Sequence, residues 1–159
     1  MDVRHNEAAA EKQLVVFNIK QDEYAFDIYY IREVLKMVPV TPLAQQDSVI
    51  EGIINFRGEV IPVIDLRRLF GNSKPENTAE TRIIIKEFNG NLLGIIVDAV
   101  NEVLKVAVEN ISPPPTVTGG SGKDFIEGIV KVDNRLIIII KTESLFSTEA
   151  IQDECSFTV

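Results

Sequence analysis

EGIINFRGEVIPVIDLRRLFG (residues 51–71) and EGIVKVDNRLIIIIKTESLFS (residues 127–147) align without a gap at an offset of 76. Seven of the 21 positions are identical: Glu51/Glu127, Gly52/Gly128, Ile53/Ile129, Ile61/Ile137, Ile64/Ile140, Leu69/Leu145 and Phe70/Phe146. An offset of 69 sets REVLK (32–36) over NEVLK (101–105), and QLVVFNIKQDEYAFDI over RIIIKEFNGNLLGIIV. The offsets differ by seven because the loop 106–126, with its PPP and GGSG, is longer than its counterpart 37–50. The chain therefore carries two copies, a first repeat of about 13–75 and a second of about 80–147, each read as hairpin, short helix, loop, hairpin and short helical end.

Turn chemistry supports the strands. Asn89-Gly90 between two β-branched runs is a strong hairpin signal, and Arg57-Gly58 and Asp133-Asn134 occupy equivalent tips. Segment 28–36 (IYYIREVLK) spaces Ile28, Ile31 and Leu35 as a helix would, with Pro39 and Pro42 to stop it, so one short helix or a tight amphipathic turn is expected there. On that helix Glu33 and Glu102 face outward. Asp65 reads as the cap of the short helical end, and Pro62, opposite Ile138, predicts an edge or a bulge for strand 60–64, whereas 136–140 can be fully buried. Residues 1–12 read as a disordered tail, 71–80 as a linker and 112–122 as an exposed loop, while the C-terminal segment 148–159 fits no pattern. Five short strands per copy leave wet edges if flat, so an all-β fold of two small closed barrels about a pseudo-two-fold axis is expected, with a groove between them.

At 159 residues the chain can bury about 70% of the surface its unfolded form exposes. Sixteen Lys and Arg against 24 Asp and Glu give a net charge of −8, which disfavours nucleic acid and anionic lipid as partners. A single cysteine, Cys155, and a polar opening without a signal-peptide pattern suit a cytoplasmic protein, and no apolar run is long enough for membrane insertion. Catalysis lacks material: the one histidine, His5, lies in the tail, GGSGKD lacks phosphate-loop spacing, and Asp98 and Glu102 read as two solvated carboxylates on one helix face. Neither a metal nor a cofactor is expected. Arg57 stands out, because the other copy puts an ordinary turn residue at that tip; a guanidinium on a rigid hairpin suits a partner's carboxylate or backbone.

Gly52, Asn55-x-Arg57-Gly58, Pro62 and Asp65-Leu66, with DEYAFDI, the REV segment and GIIVDAVNEVL followed by ENISPPP, resemble the CheW family of bacterial chemotaxis coupling proteins over residues 13–147. The resemblance implies two SH3-like five-stranded β-barrel subdomains and a non-enzymatic adaptor linking the chemoreceptor signalling tip to the regulatory domain of the histidine kinase CheA. It also implies a receptor-binding groove at Ile31, Glu33, Gly52, Arg57, Val100 and Val103. The competing expectation is a small-molecule binder or enzyme using the inter-barrel groove as a pocket.

Overall fold

Among the described residues, eleven strands form two sheets. The computed structural model describes residues 10–43, 49–115 and 125–142. In chain order the elements are β1 (Glu11–Ile19), β2 (Asp22–Asp27), a 3-10 turn (Ile28–Tyr30), β3 (Ile31–Lys36), β4 (Ile50–Phe56), β5 (Glu59–Asp65) and α1 (Leu66–Leu69). There follow β6 (Arg82–Phe88), β7 (Asn91–Val97), β8 (Ala99–Ala107), a second 3-10 turn (Val108–Asn110), β9 (Ile111–Ser112), β10 (Ile126–Val132) and β11 (Arg135–Ile140).

Each sheet returns on itself. One runs β3-β6-β7-β5-β4 and closes where the continuation of β3 meets β4: Thr41 and Ile53 exchange two backbone hydrogen bonds of 2.9 Å. The other runs β8-β1-β2-β11-β10-β9 and closes because β9 continues β8 through the 3-10 turn. The closed edges are what the length of the strands demands, since an open sheet of this size would leave its backbone groups unpaired.

The copies do not map onto the barrels one to one. Hairpin β1-β2 of the first copy pairs with β8 and β11 of the second, and hairpin β6-β7 of the second pairs with β3 and β5 of the first. The cores follow the exchange. Leu14 and Val16 line the core of the second barrel with Val130, Ile137 and Ile139, while their offset-69 counterparts Ile83 and Ile85 line the first with Ile54, Ile61 and Val63. The opposite faces of these hairpins build a third core between the barrels, from Phe17, Ile19 and Phe26 against Ile64, Ile84, Phe88 and Ile95.

Several expectations are corrected. Segment 28–36 is a 3-10 turn plus strand β3, and 101–105 lies in β8; pairing of β3 with β6 supplies the hydrogen bonds that its weak helical period cannot. Asp98 and Glu102 consequently share no helix face. Glu33 is on the half-buried face with Ile31 and Leu35, and Val34 points outward, the reverse of the expected orientation. Glu102 and Val103 repeat this on β8.

Strand β5 is interior, not an edge. Pro62 is accommodated because Ile53, opposite it, turns its backbone to Thr41, and pairing with β7 begins only at Val63; the bulge lies across at Ile50/Gly52. Strand 136–140 is not uniformly buried, Leu136 being exposed. The tail reading reached too far, since β1 begins at Glu11. Ser112 belongs to β9 rather than to the loop. Residues 1–9, 116–124 and 143–159, including His5, Cys155, the second helical end and the C-terminal segment, lie outside the described residues.

Candidate functional site

The β4-β5 hairpin ends in a two-residue turn with Arg57 at φ 52° and Gly58 at φ 86°, the same left-handed pair as Asn89 (52°) and Gly90 (82°). Asn-Gly suits that turn; arginine does not, because its Cβ crowds the backbone in the left-handed region at about 1–2 kcal/mol. The Asn55 side chain steadies the turn by accepting from the Gly58 amide at 2.9 Å. The Arg57 side chain is 71% exposed, packs over the Phe56 ring, and donates from Nη2 to Glu33 Oε1 on β3. The local backbone therefore gains nothing from an arginine that stands on the surface. Arg57→Asn is expected to leave stability unchanged or raise it by up to about 1 kcal/mol, because relief of the left-handed strain outweighs a surface ion pair. Urea denaturation would show this, and a loss above about 1 kcal/mol would give Arg57 a structural role.

The second barrel repeats the arrangement with different residues. Glu102, the counterpart of Glu33, accepts from Arg135 Nη2, and Arg135 also donates to both carboxylate oxygens of Glu23, at 3.0 and 3.2 Å. Hydrogen bonding to Glu23, then to Glu102, holds the Arg135 guanidinium above the ordinary arginine range. The arginine has shifted two positions along the hairpin, from the tip to β11, so the two Glu-Arg latches are invisible to a gapless alignment.

The other candidate positions divide into two kinds. Ile31 and Val100 both pack, half-buried, against the core between the barrels, immediately after the two crossovers that link them. Val103, three residues further along β8, is 53% exposed. Gly52 is buried and offers no side chain. A Cβ there would stand 2.2 Å from Thr41 O and 2.8 Å from Val40 Cγ1, so its part is to admit the backbone that closes the first barrel. Gly128 has the same part in the second barrel, facing Ile111 and Ser112.

Two features escaped the sequence reading. Arg67, 2% exposed, donates from Nε and Nη2 to the two oxygens of Asp65 at 2.9 Å, and also reaches Glu76 O, Asn77 Oδ1 and Asp98 Oδ1. Asp65 does cap α1, accepting from the Arg67 amide at 3.0 Å, but its larger engagement is this buried ion pair. An aspartate two residues before an arginine at a helix start was the available signal. Tyr29 and Tyr30, 80% and 45% exposed, stand edge to face at the first crossover.

Among the described residues no group of three or more His, Cys, Asp or Glu is placed to hold a metal, and no helix is long and apolar enough to cross a membrane.

The model of the CheW-like domain matches residues 13–150. The chemotaxis protein CheW of Bacillus subtilis is 35% identical over 141 residues, covering 89% of this chain and 90% of that protein. The probable chemotaxis protein CheW of Rhizobium etli is 34% identical over 137 residues, covering 86% and 88%. The crystal structure of the scaffolding protein TtCheW from Thermoanaerobacter tengcongensis superposes with a TM-score of 0.77 at 45% identity, covering 86% of this chain and 92% of that one. Paired β-barrels around a shared core are thus the fold this chain has in common with a chemotaxis scaffold protein. The chain belongs to the CheW family of chemotaxis scaffold proteins.

Proposed function

We propose that the chain couples the cytoplasmic signalling tips of chemoreceptors to the regulatory domain of the histidine kinase CheA, acting in the cytoplasm as a non-catalytic adaptor. The observation that carries this reading is Arg57: a strained, solvent-facing guanidinium on a rigid tip, held in register by Glu33. A helical receptor tip lays apolar side chains against Ile31, Val100 and Val103, while Arg57 and Glu33 set its register at the rim. Gly52 contributes through the backbone, by keeping β4 and the run after β3 together beneath that rim.

Co-sedimentation of the purified chain with a receptor signalling fragment and the kinase tests it. Arg57→Glu places a carboxylate beside Glu33 and is expected to weaken receptor binding several-fold, with the fold intact and kinase binding largely retained. Unchanged receptor binding would remove Arg57 from the site and with it the main support for this assignment.

A further inference from the structure

Asp98 is the residue between β7 of the first barrel and β8 of the second, and it bonds to both sides. Its amide donates to Asn18 O at 3.1 Å, and its Oδ2 accepts from the Lys20 amide at 2.7 Å, where Lys20 sits at φ 60° on the tip of hairpin β1-β2. Its Oδ1 lies 3.4 Å from Nη1 of Arg67, which Asp65 and Asn77 fix from the first barrel. One carboxylate therefore ties the second barrel's hairpin tip to the first barrel's helical end. At the equivalent crossover the offset of 69 puts Tyr29, which is 80% exposed. The aspartate of that other crossover, Asp27, instead accepts from the Tyr29 amide within the 3-10 turn at 3.0 Å, so the position equivalent to Asp98 carries no carboxylate there.

We propose that Asp98 is a positioning residue for the partner site: by fixing the start of β8 against the first barrel, it sets Val100 and Val103 relative to Glu33 and Arg57. The inference rests on the receptor-site reading for its effect on affinity, and on hydrogen-bond geometry alone for its effect on the seam. A charge-assisted bond of this kind is directional, whereas the apolar packing between the barrels is less so.

The test uses the full chain with Asp98→Ala, Asp98→Asn, Arg57→Glu and the core control Val130→Ala, measuring affinity for a chemoreceptor cytoplasmic fragment and amide hydrogen exchange. Asp98→Ala is expected to lower affinity about tenfold and to speed exchange at Lys20 and across Val100–Glu102 about tenfold. Asp98→Asn, which keeps an acceptor for Lys20 but loses the charge facing Arg67, falls between it and the parent. Val130→Ala, with an equal or greater drop in melting temperature, keeps its affinity. The proposal is overturned if exchange across Val100–Glu102 is unchanged in Asp98→Ala, or if Val130→Ala weakens binding as much. If Arg57→Glu binds normally while that exchange accelerates, the receptor-site reading has failed and the seam role of Asp98 stands.

Discussion

Gly52→Ala is expected to lower the unfolding free energy by about 3 kcal/mol or more, with the first barrel opening at Thr41. The added methyl would meet a backbone oxygen at 2.2 Å and a backbone carbon at 2.8 Å, and no rotamer change relieves a clash with main chain. The two Thr41–Ile53 hydrogen bonds are the closure of that barrel, so the strand must either break them or move away with them. Gly94→Ala is the internal comparison. Its Cβ would come no closer than 3.1 Å to Val63 Cγ2, and the other copy already carries Ala25 at the equivalent place in β2. That substitution should cost about 1 kcal/mol or less. Equal losses in urea denaturation would show that barrel closure at Thr41 is dispensable. Because Thr41 lies a few residues beyond β3 and Gly52 a few before Arg57, loosening here should also separate Glu33 from Arg57 and lower partner affinity.

Arg67→Met should be comparably severe, at about 3–5 kcal/mol. Methionine fills the volume of the stem but leaves Asp65, 5% exposed, without its two charge-assisted bonds, and releases Glu76 O and Asn77, which hold the 71–80 segment to the barrel end. Much of the loss is the exposed need of the buried carboxylate, so Asp65→Leu made together with Arg67→Met should cost clearly less than the two single losses added. Additive losses in a double-mutant cycle would show that the two groups do not act as a pair.

Strand-forming runs and turn residues are legible in the sequence because period and turn chemistry act locally: the hairpins at Arg57-Gly58 and Asn89-Gly90 lie where their residues place them. The repeat likewise exposes the twofold construction. Which hairpin joins which barrel is not local, since Leu14 and Ile83 are equally apolar and either could face either core; only the shared middle core, built from the opposite hairpin faces, decides it. The helix expected at 28–36 fails for a related reason, in that β3 gains its backbone partners from β6, some fifty residues away. At the candidate site, Arg57 is legible because it is the wrong residue for its turn. Asp98 is not, because an ordinary polar residue at a strand end acquires meaning only when packing brings it within reach of Lys20 and Arg67, and for Arg67 the spacing from Asp65 is a local signal that does not tell of its burial.

The crossed hairpins also set an order of events during biosynthesis. Strand β2 pairs with β11, so Tyr24 must wait for Ile138, 114 residues further along the chain. At roughly 5–20 residues per second the ribosome needs about 6–23 s to deliver it, during which Leu14, Val16 and Ala25 lack Val130, Ile137 and Ile139, the far side of their core. Closure of the second barrel is thus postponed until β11 has been made, and the nascent chain spends that interval with one apolar face of the β1-β2 hairpin incompletely covered.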